Sequence, residues 1–377
     1  MAQRLDPLAQ SPLLRKMREW ISADRMPNSV LLNGPEGCGK EAAALSLARL
    51  LLDATEGSAA AKFDRLAHPD LLYVFPVESS LSIDGYRELL DAKAEEPLRA
   101  VAQPSSAQIP IGSEDTPHPA HVRSIRRFAG ARPFEASRRV VVIGDAHRMN
   151  RAAANALLKS LEEPPAHTHL FLCTHQPHLL PATIPSRCAR VNLPHLAVEL
   201  LAGHLEAAHG VPAAEALRIA TVSCGNARRA FDLLDPIARE LAEWATDLRE
   251  LLLGTSRAAL LKAAEAVSKA QPPGGKGKKL AVDAGLSATR DVGMRVLDFL
   301  IADLLQLQKL TEGAHLPAAL HGLYEGAPSN PHYGETARVL MAGRADLARN
   351  VNVALVLTDC FGVARDVLLR GEAAGSR

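Results

Sequence analysis

At 377 residues the chain is long for one core, so two or three domains are expected. Lys and Arg total 43 against 42 Asp and Glu, a net charge of +1 that excludes an overall basic footprint for nucleic acid and makes any DNA contact local or shared with other chains. With 47% hydrophobic, 23% charged and only 4% aromatic residues, the composition is that of a globular protein rich in Ala and Leu, the strongest helix formers. No apolar run reaches the roughly 20 residues that span a bilayer, and the first twenty residues lack the pattern of a secretory signal, so a cytoplasmic protein with no membrane partner is expected. Cys38, Cys173, Cys188, Cys224 and Cys360 are far apart without a CxxC pair, which predicts buried free thiols and no zinc module or disulfide framework.

Along the chain, Leu13, Leu14, Met17, Trp20 and Ile21 recur at helical spacing and predict an amphipathic helix over 12–23. "RMPNS" breaks it, and "VLLNG" reads as a short buried strand entering the glycine loop "GPEGCGKE" and an Ala/Leu-rich helix. A second strand is predicted at 70–77, "DLLYVFPV". Residues 78–119 read as an irregular surface insertion, loosest at "QPSSAQIPIGSEDTPHP". Val122, Ile125 and Phe128 mark a helix face. "VVVIG" at 140–144 is a strand buried on both faces, "RAAANALLKSLEEPP" a helix stopped by Pro164 and Pro165, and "HLFLCT" at 169–174 another buried strand. Strands alternating with helices imply a parallel α/β sheet with flanking helices.

After "RVNLP" strand signals cease. Residues 195–268 are helical by pattern, "SKAQPPGGKGKKL" reads as a linker, and 283–370 return to helix with an interruption near "EGAPSNPHYG". Three parts are expected: an α/β module at 1–192 carrying the insertion at about 78–119, a small helical domain at 193–240, and a helical C-terminal domain at 241–377.

Gly34, Gly37, Gly39 and Lys40 have the spacing of a phosphate-binding loop, in which backbone N–H groups and a helix N-terminus hold phosphates and the lysine reaches the β/γ oxygens. The next residue should offer a Mg²⁺-binding hydroxyl, but it is Glu41, which repels a triphosphate unless it captures the metal itself. A hydrolysing P-loop protein also ends a neighbouring strand in Asp-Glu. Here "VVVIGDAHRMN" places Gly144 at the metal-binding Asp and the shorter Asp145 at the Glu. The three departures together argue against hydrolysis. His147 is read as opening a helix rather than as a catalytic base.

"RMPNSVLLNGPEGCGK", "HPDLL", "RRVVVIGDAHRMNRAAANALLKSLEEPPAHTHLFLCTHQPHLLPATIPSRCARV" and "GNARRAFDLL" resemble the bacterial clamp-loader family of AAA+ proteins. The likeness covers residues 10–77 and 120–235. It is weaker at "LARNVNVALVLTD", which is similar to the end of the family's collar domain. It implies an AAA+ P-loop module, a helical lid and an all-helical C-terminal collar for oligomerisation. Arg187 in "PSRC" is similar to the arginine finger that reaches a neighbour's ATP, against the alternative of an ordinary salt-bridged surface arginine. Thr174 matches the polar sensor at a strand end, where it could equally cap the strand. Arg228 matches the second sensor, or is a solvated helix arginine.

The implied partners are gamma/tau motor subunits and the delta subunit in a hetero-oligomeric ring, the sliding clamp, and primed DNA within the assembly. No cofactor is implied beyond ATP, ADP or phosphate at the degenerate loop. Many members carry a four-cysteine zinc module after the P-loop helix, and this chain has no Cys in "DATEGSAAAKFDRLAHPD", so no zinc is expected there. Arg123, Arg126, Arg127 and Arg132 form a basic cluster, either a DNA-facing patch or a solvated helix face. An active motor ATPase and a binding module outside replication are the alternative readings.

Overall fold

The computed structural model describes residues 11–78, 80–99, 106–112, 118–254, 256–273, 286–313, 324, 332–349 and 351–369. Chain contacts divide it into two compact units, Met1–Ala213 with Gly225–Arg228, and Ala214–Cys224 with Arg229–Arg377. Residues 193–240 are thus shared between the units. The expected linker after Ser268, the loosest stretch of the insertion and the interruption near 325 lie largely outside the described residues.

In the first unit, helix α1 (Pro12–Ser22) begins where the expected amphipathic pattern begins. Pro12 occupies its first turn, and Ser11 Oγ accepts the Leu14 amide at 3.3 Å. Strand β1 (Ser29–Asn33) leads into α2 (Lys40–Leu51) and α3 (Gly57–Phe63). Strand β2 (Leu71–Val74) follows, then α4 (Ile83–Glu95), α5 (Val122–Gly130), β3 (Arg139–Ile143), α6 (Arg151–Glu162), β4 (Thr168–Thr174), β5 (Ala189–Asn192) and α7 (Val198–His209). The five strands order as β2-β3-β4-β1-β5, every pair parallel. Every residue of β4 is buried, which explains its unbroken apolar run.

The expectation of an irregular segment at 78–119 is corrected by α4. Ser82 Oγ caps it by accepting the Gly85 amide at 3.1 Å. Only Tyr86, Lys93 and Ala94 of this helix are buried, too few to give the sequence an apolar stripe. By pleat alternation, Val141 and Ile143 of β3 and Leu170 and Leu172 of β4 face one side of the sheet. They join Val122 and Ile125 of α5 and Leu157 and Leu161 of α6 in the core. Helix α2, buried along most of its length, packs on β1, β3 and β4.

The register puts the functional ends of the strands level. Asn33 pairs with Thr174 and with Asn192, and Ile143 pairs with Leu172. The glycine loop, the turn at Asp145 and Thr174 therefore open together at the carboxyl edge of the sheet, the usual ligand position in open parallel sheets.

The second unit is helical throughout its described residues. Helices α8 (Ala213–Val222) and α9 (Ala227–Asp232) start near the division between units. Helices α10 (Pro236–Leu253), α11 (Arg257–Ser268), α12 (Leu286–Thr311), α13 (Tyr333–Ala348) and α14 (Val353–Leu369) form its body. Helix α12 packs on α10 and α13, and α14 on α11 and α13. Buried Arg249 pairs with Asp303 at 3.1 Å, and Tyr324 donates to the same carboxylate at 3.0 Å. Burial raises the Asp303 pKa against the opposing Arg249 charge, and the hydrogen bonds satisfy the carboxylate where it stands. All five cysteines are free; Cys38, Cys173 and Cys360 are buried as expected, while Cys188 and Cys224 are half-buried.

Candidate functional site

The turn from β1 to α2 is built on left-handed backbone at Gly37 (φ 75°) and Gly39 (φ 79°), the second forming the helix N-cap. A Cβ at Gly37 would fall 1.9 Å from Asn226 Oδ1, so a larger residue there would also have to displace the Asn226 side chain. Cβ placement at Gly34 is blocked likewise, 2.3 Å from the Leu193 carbonyl oxygen. Lys40 is buried and curls back onto its own loop, donating to the Gly34 and Pro35 carbonyls at 3.0 and 2.7 Å.

Glu41, the residue that breaks the motif, is engaged on both sides. Tyr73 of β2 donates its hydroxyl to Glu41 Oε2 at 2.6 Å, and the Lys93 ammonium of α4 lies 2.8 Å from the same oxygen. The Lys93 side chain is 2% exposed and also donates to the Arg99 carbonyl at 2.8 Å. Burial, reinforced by the Glu41 charge, pushes the Tyr73 pKa well up, so the phenol stays a donor. A Cβ at residue 144 would stand 2.5 Å from Glu41 Oε1 and 3.3 Å from the Tyr73 hydroxyl. The space an aspartate would need at 144 is therefore held by the Glu41 carboxylate. The two departures from the P-loop pattern are one arrangement, with Lys93 as its cation. Lys93 and Tyr73 complete this arrangement, and sequence reasoning missed both. Tyr73 was hidden as one position of a strand, and Lys93 sits in the segment read as irregular.

Asp145 follows β3 in a left-handed conformation (φ 43°) and starts the short turn Ala146–Arg148 that carries His147. Thr174 is fully buried, accepts the Gln176 amide at 3.1 Å and has its Oγ1 3.2 Å from His147 Nδ1. His175 Nδ1 lies 3.4 Å from Asp145 Oδ1. Burial lowers the His147 pKa to about 4 against the opposing pull of Asp145, so the imidazole is neutral at pH 7. Burial acts to raise Asp145, but the His175 hydrogen bond and the His147 and His175 charges outweigh it and leave the carboxyl below its ordinary range.

Arg187 closes the turn Pro185–Arg187 before β5. Its Nη2 lies 2.8 Å from Glu162 Oε1, the last residue of α6, and its Nη1 donates to the Thr183 carbonyl at 3.1 Å. The two sequence signatures "LEEPP" and "SRC" thus meet in one ion pair. Both partners are more than a third exposed, so the pair contributes at most about 1 kcal/mol, and the guanidinium is held lightly at the surface. Arg228 pairs with Glu36 of the glycine loop, Asn226 Nδ2 donates to the Glu36 carbonyl at 3.0 Å, and the Ala227 amide donates to that of Gly37 at 2.8 Å. The loop, Lys40, Thr174 and Arg228 are therefore gathered at one edge, and Arg187 lies outside this group. Of the basic cluster, Arg123, Arg126 and Arg127 line a surface cavity of about 560 Å³ with Lys159 and Glu163, and Arg132 does not.

Fold and site together define a P-loop-like α/β module in which Glu41, Tyr73 and Lys93 meet beside Gly144. The sequence profile of the family described as "DNA polymerase III, delta subunit" matches residues 9–197, and the chain belongs to that family. The clamp-loader resemblance read from its motifs is thereby borne out. The chain is 34% identical over 122 residues to DNA polymerase III subunit tau of Bacillus subtilis, covering 30% of this chain and 21% of the relative. It is 42% identical over 94 residues to subunit delta' of Pseudomonas aeruginosa, covering 25% of this chain and 27% of the relative. The chain thus spans about a quarter or less of the length of these curated relatives. A solved gamma subunit-related protein of Thermotoga maritima aligns over 94% of this chain and 99% of its own, at 18% identity and a TM-score of 0.40.

Proposed function

We propose that this chain is a delta-prime-like, non-hydrolysing subunit of the DNA polymerase III clamp loader. It presents Arg187 in trans to the ATP of a neighbouring gamma/tau-type motor subunit, within a hetero-oligomeric ring that includes the delta subunit. That ring loads the sliding clamp onto primed DNA. The observation that carries the reading is the Glu41–Lys93 pair at the metal position. A P-loop enzyme needs a hydroxyl and an aspartate there to hold Mg²⁺ across the β and γ phosphates. Here the hydroxyl is a carboxylate tied to Tyr73 and Lys93, and it fills the space left by Gly144. Arg187, by contrast, is retained at the surface in a weak ion pair that a phosphate of higher charge would displace.

In this reading Gly34, Gly37, Gly39, Lys40, Thr174 and Arg228 form a residual nucleotide site that takes ADP, ATP or phosphate without a catalytic metal. A second reading, an active motor ATPase, draws on the tau-named relative and on the retained Lys40. Steady-state ATP hydrolysis by the isolated chain with Mg²⁺ separates the two. The expected result is no turnover above background. Turnover that Lys40→Ala abolishes would establish the motor reading instead.

A further inference from the structure

Beyond the glycine loop, the turns after β3 and β4 bring Asp145, His147 and His175 together, with one ligand atom from each within 4.8 Å of the others. The β3–β4 register aligns the two turns, so the arrangement follows from the sheet itself. Asp145 Oδ1 and His175 Nδ1 are 3.4 Å apart. That spacing also matches the ligand-to-ligand edge of about 3.4 Å in a tetrahedral ion with bonds near 2.0–2.1 Å. The two imidazoles meet edge to face with centroids 4.4 Å apart. His147 Nδ1 lies 3.2 Å from the Thr174 hydroxyl, which can accept its N–H as outer partners orient metal-binding histidines. Side-chain exposures of 19% for His175 and 38% for Asp145 leave an entry path and a fourth position for water.

We propose that Asp145, His147 and His175 form a binding site for one borderline divalent transition ion, of which Zn²⁺ is the natural representative. Two imidazoles and one carboxylate select such ions over Mg²⁺, which prefers all-oxygen octahedral sites. The site differs from both the Mg²⁺ position of a working P-loop and a four-cysteine zinc module. An ion here ties the end of β3 to the turn that follows Thr174 and stiffens the sensor edge. The proposal stands whether or not Arg187 acts in trans.

The test uses the full chain, stripped with chelator and titrated with Zn²⁺ against a chromophoric chelator. One ion per chain is expected, with affinity reduced at least ~10-fold in His175→Gln and in His147→Gln, and unchanged by millimolar Mg²⁺. His209→Ala, which alters the separate Glu96–His204–His209 group, leaves the affinity intact. The Co²⁺-loaded wild-type chain shows tetrahedral visible bands that His175→Gln loses, which keeps the test decisive even if one variant folds poorly. No stoichiometric binding, wild-type affinity in both histidine variants, or loss in His209→Ala alone would overturn the proposal.

Discussion

Gly144 and Glu41 act as a pair because the Cβ missing from one leaves room for the carboxylate of the other, 2.5 Å from where that Cβ would lie. Gly144→Asp alone places a second anion against Glu41 in a packed pocket and is expected to destabilise the chain by about 1–3 kcal/mol in denaturant titration. Glu41→Thr in the same chain vacates the space and supplies the hydroxyl of an ordinary P-loop. The double variant is expected to recover most of that loss, a coupling measurable in a double-mutant cycle. Additive effects would show that the two positions are independent. The sequence displayed Glu41, Gly144 and Asp145 as three separate departures. Their coupling was not legible, because it runs through Tyr73 and Lys93, which no motif joins to the loop. Lys93 also resolves the expected repulsion, since its buried ammonium neutralises Glu41 before any phosphate arrives.

The elements that sequence periodicity reached were those burying a continuous face. Strands β1, β3 and β4 and helices α1, α5 and α6 stand close to where their patterns placed them. Helix α4 escaped because its contribution is polar, a buried lysine and a tyrosine rather than a stripe of leucines. Asp70, just before β2, was visible within "HPDLL" but without a role. Its carboxylate accepts the amides of Phe134, Glu135 and Ala136 at 2.7, 2.7 and 2.9 Å and lies 3.3 Å from Arg139 Nε, fixing the loop from α5 to β3. Burial would raise its pKa, but the three amides and Arg139 outweigh that and hold it below its ordinary 3.8. A depressed carboxyl pKa contributes stability that is complete above the unfolded value and lost as pH falls through the folded one. Asp70→Asn is therefore expected to cost about 3 kcal/mol near neutral pH, with the gap to wild type closing as pH falls below the ordinary carboxyl range in denaturant titrations. A gap constant with pH would show that the charge contributes nothing.

On the scale of the whole molecule, the proposed role in trans rests on a contrast between two edges of the first unit. At the carboxyl edge of the sheet, the Glu41 carboxylate is held by Tyr73 and Lys93 beside Gly144. At the turn before β5, Arg187 is partly exposed and meets Glu162, the Thr183 carbonyl and the Ser186 hydroxyl. Gly34 meets the Leu193 backbone where no Cβ fits and Gly37 takes a left-handed φ, a structural reason for glycine in the loop apart from catalysis. The most direct test of the trans role is ATP hydrolysis by the reconstituted loader, stimulated by clamp and primed DNA, with Arg187→Ala in this subunit alone. Loss of an arginine finger lowers turnover at the site it serves by about 10³-fold or more. If Arg187 acts in trans, a loss of that size is expected at the adjacent motor site, with assembly of the complex unchanged. Wild-type turnover in a fully assembled variant complex would contradict it.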